Sequence, residues 1–517
     1  MARQTVYVTP AGASREEKRA ARKMLRALAL EERPDPVDPK DLQLPAAAVP
    51  GILGPGFGNG GYWNIGAPGA RVPAHEATSK HLAGMYLAVA DGGSGHSGPV
   101  LALDLNADGL FQFTPWDAYN DSSARGAFST NIVVLGAYRA GKSGTIKTLV
   151  YRSIAFGHQA IVPSDSKGEW VALAEHVGGT VIRLGAGREV RLNPLDRGPR
   201  RSGVSDEQDE KMVEQRRRTT LQSLVETAHG NPIGAEENAA LGLALDRAIA
   251  ATDDNPTLRE VHTQLGLIRG GAVSETETEL IAAARTPWWE LERFVSGDLS
   301  GLFEDASTVS FDEDSPLVVV DTSELFARSD LVAQLTQVCT TAWVQAVLSD
   351  KNSGRTRYLI REEGWRDMTN IRALMMFQQW LKLSRDYGIA NIVLLHKMGD
   401  LDAVGEAGSR ERSLAYSIIN DIENKFLFRV NQQGKKALEE RLDLPPSHVE
   451  LIATLGRGEF VAYVGQFSYV LDCFSTSTET ERQLFDTDSA MNVGEVDEFM
   501  VDELELDQLW PVSEVLT

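Results

Sequence analysis

The segment 136–143 carries the clearest chemistry in this chain of 517 residues. It reads Gly-Ala-Tyr-Arg-Ala-Gly-Lys-Ser and matches the pattern G-x-x-x-x-G-K-[ST] at every fixed position. Its two glycines let the backbone curl so that successive N–H groups point at phosphate oxygens. Lys142 is expected to contact the β- and γ-phosphates, and the Ser143 hydroxyl is expected to ligate Mg²⁺. We therefore predict a nucleoside triphosphate site whose binding residues are Gly136, Ala137, Tyr138, Arg139, Ala140, Gly141, Lys142, Ser143 and Gly144.

The sequence on either side of the loop predicts the elements that hold it. Residues 131–135 are apolar and mostly β-branched, which is typical of a strand buried on both faces of a parallel sheet. Residues 145–156 can form a helix, and 159–162 read as a second buried strand. Strand, loop, helix and strand in this order form a βαβ unit. We predict an α/β fold with a mostly parallel sheet flanked by helices.

A loop of this kind also needs an acidic residue at a strand end, to hold the metal and polarise the attacking water. Asp165 follows the second strand, Asp321 ends an apolar run, and Glu362 and Glu363 follow another strand-like run. All three positions could lie on adjacent parallel strands at the carboxyl edge of the sheet. The sequence pattern leaves the choice among them open.

The chain changes character over 198–311, between the core strands. Residues 211–218 are charged and helical in pattern, while 238–252 and 276–285 are rich in alanine or amphipathic. We predict an all-helical insertion. The predicted domains are an N-terminal helix and flexible linker (1–60), a β-rich lead-in (61–126), two core parts (127–197 and 312–475), the insertion (198–311) and an acidic C-terminal tail (476–517).

Composition excludes several classes of protein. Hydrophobic content of 42% and charged content of 24% are those of a globular protein, and the net charge of −22 argues against uniform wrapping on nucleic acid. A local basic channel remains compatible with that charge. Cys339 and Cys473 have no metal-ligand spacing, and we expect neither zinc nor a disulfide. With no spanning apolar run and no apolar signal core, we expect a cytoplasmic protein.

Several further motifs follow the loop in a family-like order. They are Asp165-Ser166-Lys167-Gly168-Glu169-Trp170, Gly178-Gly179, Leu192-Asn193-Pro194-Leu195-Asp196, Glu362-Glu363-Gly364-Trp365 and Arg385-Asp386-Tyr387-Gly388. This order resembles the conjugative-transfer ATPases of type IV secretion systems (the TraC-like class), within the HerA–FtsK group of hexameric RecA-like motors. The resemblance covers about residues 95–475.

The resemblance implies roles for particular residues. Lys142 and Glu363 match catalytic positions, and Glu362 stands where the family has a metal-associated aspartate. Arg385 matches an arginine that senses the γ-phosphate, plausibly across a subunit boundary, and Arg429 is a second candidate. A further departure is His396-Lys397, where the family has Thr-Gln.

The resemblance also implies cofactors and partners. ATP and Mg²⁺ are the expected cofactors, and a homo-hexamer that works with other secretion subunits is the expected assembly. DNA is a candidate partner, and the expected membrane association is peripheral, through partner proteins. Two alternatives stay open: a double-stranded DNA translocase of the HerA–FtsK kind, and a nucleotide-binding assembly component with weak hydrolysis.

Overall fold

A computed structural model of the chain describes residues 95–485, apart from 186, 202, 271–277, 327, 349–353, 363, 365–370 and 397–408. At 278, 371–373, 376, 379, 383 and 411 only the backbone is described. The predicted N-terminal helix and linker (1–60), Glu363 and the predicted tail beyond 485 lie outside these residues. The described residues belong to one compact unit, Ala90–Thr517.

The described residues form one sheet of eleven strands, and most of it is parallel. The parallel strands are, in spatial order, β9 (Asn424–Phe428), β3 (Ile132–Leu135), β8 (Ile389–Leu395), β7 (Arg357–Arg361), β4 (Gln159–Asp165), β6 (Leu317–Asp321) and β5 (Thr180–Arg183). Beyond β9 the sheet continues with antiparallel strands, namely β10 (Glu459–Val464), β11 (Phe467–Asp472), β1 (Val100–Asp104) and β2 (Gly109–Gln112).

Helices connect the strands. Those between strands outside the insertion are α1 (Pro115–Asn120), α2 (Lys142–Ile154), α3 (Val171–His176), α9 (Ser323–Phe326), α10 (Asp330–Val347), α11 (Ile371–Leu383), α12 (Arg410–Asn420), α13 (Gln432–Leu442) and α14 (Pro446–Thr454), and α15 (Glu479–Phe485) follows β11. Two 3₁₀ turns cover Ser384–Tyr387 and Phe474–Thr476. Of the described helices, none combines the length and apolar character needed to cross a bilayer.

The helical insertion lies between β5 and β6. It contains α4 (Asp206–His229), α5 (Ala235–Ala251), α6 (Leu258–Arg269), α7 (Thr278–Ala283) and α8 (Arg285–Val295). Helix α4 begins where the Ser205 side chain accepts the Gln208 N–H, and it ends at Gly230, whose φ of 75° suits glycine. Leu221, Leu224 and other apolar side chains of these helices are fully buried against β-strand residues, each stabilising the fold by about 1.5–3 kcal/mol. The predicted α/β fold with an all-helical insertion is confirmed.

The buried central strand fixes the position of the site. Strand β3 is central, with β8 paired on one side and β9 on the other, and all four of its residues are buried, because Ile132 and Val134 pack in one apolar cluster and Val133 and Leu135 in another. The carboxyl ends of the parallel strands meet at one edge of the sheet, and ligands of open α/β sheets bind at that edge. Any site formed after β3 therefore faces the ends of β8, β7 and β4 along the same edge.

Candidate functional site

The loop after β3 has the backbone that its glycines predict. Gly141 has a φ of 104° and begins α2, and a Cβ at that position would lie 2.7 Å from the backbone nitrogen of Gly458. Glycine is therefore required there both by backbone conformation and by space. The Ala137 N–H donates to the Arg429 carbonyl at 2.8 Å, which ties the loop to the end of β9.

Lys142 lies inside the curl of the loop. Its Nζ donates to the carbonyl oxygens of Gly136 at 2.7 Å and Ala137 at 2.9 Å, and the side chain is buried. Helix α2 begins without a side-chain cap, so its positive end is presented to the cavity. A buried ammonium group beside an uncapped helix N-terminus is suited to hold an anion.

Tyr138 and His396 stack beside the loop. Their rings are 4.1 Å apart at an interplanar angle of 21°, and Lys142 Nζ lies 5.8 Å from the Tyr138 ring centroid. His396 directly follows β8, the neighbour of the loop strand. The histidine that departs from the family pattern thus contacts the phosphate-binding loop itself.

A cavity of about 600 Å³ opens in front of the loop. Its walls are formed by Tyr138, Arg139, Gly141, Lys142, Ser143, Gly144, Thr148, Lys167, Glu169, His396, Arg457, Phe474, Ser477, Glu481, Arg482 and Phe485. The volume is in the range of small-molecule and cofactor sites. Five of these side chains are basic and two are acidic, a balance that favours a polyanionic ligand despite the acidic chain as a whole.

The Asp165 carboxylate binds the backbone of the turn that follows it. Its Oδ1 accepts the backbone N–H groups of Lys167 at 3.3 Å and Glu169 at 3.1 Å, and its Oδ2 accepts that of Trp170 at 2.8 Å. Burial raises the pKa of Asp165, and these hydrogen bonds act against that rise. The carboxylate therefore shapes the turn that carries Lys167 and Glu169 to the cavity.

Asp321 also has local partners. Its Oδ1 accepts the hydroxyl of Ser323 at 2.7 Å and the backbone N–H of the same residue at 3.1 Å. Strand β6 lies four strands away from β3. The three candidate acids do end neighbouring parallel strands, β7, β4 and β6, as predicted. Asp321 is the one farthest from the loop.

Glu362 lies at the end of β7 and is buried, with 6% of its surface exposed. Its Oε1 accepts the Trp170 indole N–H at 2.7 Å. Burial raises the pKa of Glu362 to about 7, and the charge of Lys147 acts against the rise. Glu362 is not one of the residues that line the cavity in front of the loop.

Lys147 links this buried acid to the cavity. Its Nζ lies 3.4 Å from Glu169 Oε2 and 5.8 Å from the Trp170 ring centroid, and the side chain is fully buried. Glu169 belongs to the cavity wall. Of the two carboxylates on the cavity wall, Glu169 is therefore the one paired with Lys147, whereas Glu362 lies outside the wall.

The two candidate arginines lie at opposite edges of the sheet. Arg385 belongs to the turn before β8, at the amino edge, where it lines a separate cavity of about 340 Å³ with Asn131 and Asp421. Arg429 follows β9 at the carboxyl edge and is exposed. The structure thus places six of the nine predicted binding residues, Tyr138, Arg139 and 141–144, on one cavity wall and leaves Arg385 away from it.

Sequence reasoning missed part of the cavity wall. The sequence singles out Lys167 and Glu169 only as part of a family-like motif. Arg457, Phe474 and Arg482 belong to no sequence pattern that predicts a place at the site. Arg457 precedes β10 and Phe474 follows β11, so both come to the loop through antiparallel strands far from it in sequence.

Comparison with known proteins supports the fold. No family model matches the sequence, and no curated protein matches it. Among solved structures, VirB4 of Thermoanaerobacter pseudethanolicus is 21% identical with a TM-score of 0.61, over 76% of this chain and 99% of that chain. The bacterial conjugative coupling protein TrwB is 15% identical with a TM-score of 0.45, over 66% of this chain and 84% of that chain. The chain therefore shares the fold of VirB4. This agrees with the predicted RecA-like core.

Proposed function

We propose that the chain is an ATP-binding and ATP-hydrolysing motor protein that energises conjugative DNA transfer or type IV secretion. The observation that carries this proposal is the basic cavity in front of a complete phosphate-binding loop. The fold shared with VirB4 supports the assignment to a secretion system. Other secretion subunits are the proposed partners, and these would hold the protein at the membrane periphery.

The residues around the cavity fit ATP with Mg²⁺. Lys142 and the uncapped start of α2 would bind the phosphates, and Ser143 would supply a hydroxyl ligand. No group of three or more His, Cys, Asp or Glu side chains in the described part of the chain could hold a metal alone. This suits Mg²⁺, which is commonly held by few protein groups together with substrate phosphates. Bound Mg²⁺ would stabilise negative charge on the phosphoryl oxygens.

The acid chemistry is proposed for the end of β7. Glu363 is the proposed general base, and Glu362 the proposed metal-side acid. Glu362 would act on the metal through Oε2 or through water, because its Oε1 accepts the indole N–H and the residue is not part of the cavity wall. Glu169 already lines the cavity beside Lys147, so it can contribute a second carboxylate to the site.

Hydrolysis by the purified chain tests this function. Lys142→Ala should lower turnover by about 10²–10³-fold, because the charge that stabilises the phosphoryl group is removed. Lys436→Ala is the control: this lysine is exposed on α13, outside the cavity. Glu363→Gln should abolish turnover and preserve binding. Equal turnover of the wild type and the Lys142 variant would refute the site.

The same assay separates the alternatives. A double-stranded DNA translocase would be stimulated by DNA at low salt, and the stimulation would collapse as salt rises. The weakly hydrolysing assembly component is favoured by one observation, the engagement of Glu362 with Trp170. That reading predicts tight ATP binding, slow turnover and no effect of Glu363→Gln on the rate.

A further inference from the structure

We propose that Phe474 forms the nucleobase subsite, and that this subsite holds the base by stacking without reading its edge. The inference deepens the proposed function and rests on it, since it places a nucleotide in the same cavity. The residues concerned belong to 473–485, which we name the C-terminal strap. It follows β11 and comprises Cys473, the 3₁₀ turn and α15.

The strap is held on α2 by one arginine. Arg152 Nε donates to Glu481 Oε1 at 2.6 Å, and its Nη2 donates to Glu481 Oε2 and to the Thr476 carbonyl, both at 2.7 Å. Its Nη1 donates to the Val100 carbonyl at 2.6 Å. A bidentate, largely buried pair of this kind gives a fixed geometry. The strap's side chains are therefore presented to the cavity by a rigid support.

Phe474 lies against the start of α2. A Cβ at Gly141 or at Gly144 would lie 3.4 Å from the Phe474 ring, and a Cβ at Gly458 would lie 2.5 Å from it. The Phe474 N–H donates to Asp472 Oδ1 at 2.9 Å, which fixes the residue after β11. The ring is thus next to the helix turn where the phosphates would bind.

The path of a nucleotide from that turn leads onto the strap. Phosphates bound at 137–144 leave the ribose and base to extend over the cavity wall beyond Gly144 and Thr148. Phe474 lies on this wall with Arg457, whose guanidinium carbon is 5.8 Å from the ring centroid, and Phe485 and Arg482 lie farther along the strap. An aromatic face and arginines are the groups that stack on bases.

The polar groups of the strap do not suit readout of the base edge. Both carboxylate oxygens of Glu481 accept hydrogen bonds from Arg152, and Oε2 also accepts the Thr478 N–H at 2.7 Å. The Ser477 hydroxyl donates to the Cys473 carbonyl at 3.2 Å. Arg457 and Arg482 can only donate, so neither can accept from the amino group of adenine. Stacking tolerates any base and favours large ones, and we expect ATP and GTP to bind within about threefold of each other, and UTP more weakly.

The test compares ATP with inorganic tripolyphosphate, which has the phosphates and lacks the base. Dissociation constants are measured with Mg²⁺ for the full chain by calorimetry. Phe474→Leu should weaken ATP by about 5–30-fold, the equivalent of losing base stacking, and leave tripolyphosphate within about twofold. Phe467→Leu is the matched control, since Phe467 is exposed at the start of β11 and is not part of the cavity wall.

Each outcome decides between readings. Equal affinity of wild type and Phe474→Leu for ATP overturns the subsite, and so does an equal loss for ATP and tripolyphosphate, which would mean that the ring only supports the loop. A strong preference of the wild type for either ATP or GTP over the other overturns stacking without readout, since arginine can donate to O6 and N7 of guanine. If the wild type binds neither ATP nor tripolyphosphate, the proposed function itself fails. Arg457→Gln, at an exposed residue, repeats the comparison should Phe474→Leu not fold, with a selective loss for ATP expected.

Discussion

Glu362 illustrates how the neighbours of one side chain decide its chemistry. A carboxylate at the end of a parallel strand beside a phosphate-binding loop predicts metal binding. Here the carboxyl is buried, accepts the Trp170 indole N–H and carries a pKa raised to about 7. A proton on Glu362 would remove the charge that a metal needs. In the proposed site, the charge of Glu362 available to a metal would therefore depend on its protonation state.

We predict that Glu362 makes the stability of the chain depend on pH. The ordinary pKa of this carboxyl is 4.5, and in the fold it is about 7, so the folded state keeps a proton that the unfolded state has lost. The contribution of Glu362 to the unfolding free energy should therefore fall as pH rises from about 4.5 to 7, by on the order of 3 kcal/mol, and stay constant above. Glu362→Gln should lack this slope.

The measurement is urea unfolding of wild type and Glu362→Gln at pH 5, 6, 7 and 8 in EDTA. The difference between the two unfolding free energies should change in favour of the glutamine variant as pH rises. A difference that stays constant across the range would show that Glu362 is ionised in the fold throughout.

At the same scale, the conformation of the loop was predictable from the sequence, and the surroundings of the acids were not. The loop lies within a few consecutive positions, so local spacing determines it. The partner of Glu362 is Trp170, 192 residues away in the sequence. The orientation of the Glu362 carboxyl depends on tertiary packing. No local sequence pattern predicts that packing.

Among the elements, the core of the site was predictable from hydrophobic pattern. The predicted strand over 131–135 is observed as Ile132–Leu135, and the one over 159–162 extends further, to Gln159–Asp165. The helix predicted over 145–156 is observed as Lys142–Ile154, with Gly141 as its N-cap. The helix predicted over 238–252 is Ala235–Ala251. The predicted and observed ends of these elements differ where helix caps or glycine conformation determine the end. Hydrophobic periodicity alone carries no information about either.

The C-terminal strap could not be predicted. The sequence assigns 476–517 to an acidic C-terminal tail, whereas Glu479–Phe485 is a helix that contacts α2 through Glu481 and Arg152. What fixes it is the pair of Glu481 with Arg152, which are separated by 329 residues. An acidic composition does not distinguish a carboxylate with a buried partner from one in water.

We predict that the strap depends on this ion pair. Glu481→Gln should lower the unfolding free energy by on the order of 2–4 kcal/mol, because Arg152 would remain partly buried without its counter-charge. Glu479→Gln, in the same helix but exposed, should change it by less than about 0.5 kcal/mol. Urea unfolding of both variants provides the measurement. Equal, small effects would show that the strap is held by other contacts.

At the scale of the whole molecule, the sheet separates the two proposed halves of the catalytic site. Lys142 follows β3 at the carboxyl edge, and Arg385 precedes β8 at the amino edge. These two strands are parallel neighbours, so the edges are separated by their full length. Arg385 therefore cannot reach the cavity of its own chain, and a role toward the γ-phosphate requires a second subunit. The proposed hexameric ring supplies one.

Mixing two inactive variants tests that arrangement. Lys142→Ala inactivates the nucleotide site of its own subunit and keeps Arg385. Arg385→Ala keeps that site intact and removes the arginine that would act in the site of the neighbouring subunit. Alone, Lys142→Ala should lose about 10²–10³-fold in turnover, and Arg385→Ala about 10³-fold or more if the arginine acts as a finger in trans. In rings assembled from equal amounts of both, about a quarter of the interfaces pair an intact site with an intact arginine, since the subunits occupy equivalent positions in a closed ring.

Mixed rings should therefore recover about a quarter of the wild-type rate per subunit, given independent interfaces. Light scattering with ATP and Mg²⁺ must first show the hexamer, and subunit exchange between differently labelled variants must show that mixed rings form. Lys142→Ala mixed with a double variant, Lys142→Ala and Arg385→Ala, is the matched control and should stay inactive. Mixed rings without recovery would place Arg385 outside the catalytic site, and a chain that remains monomeric would remove the partner on which its role depends.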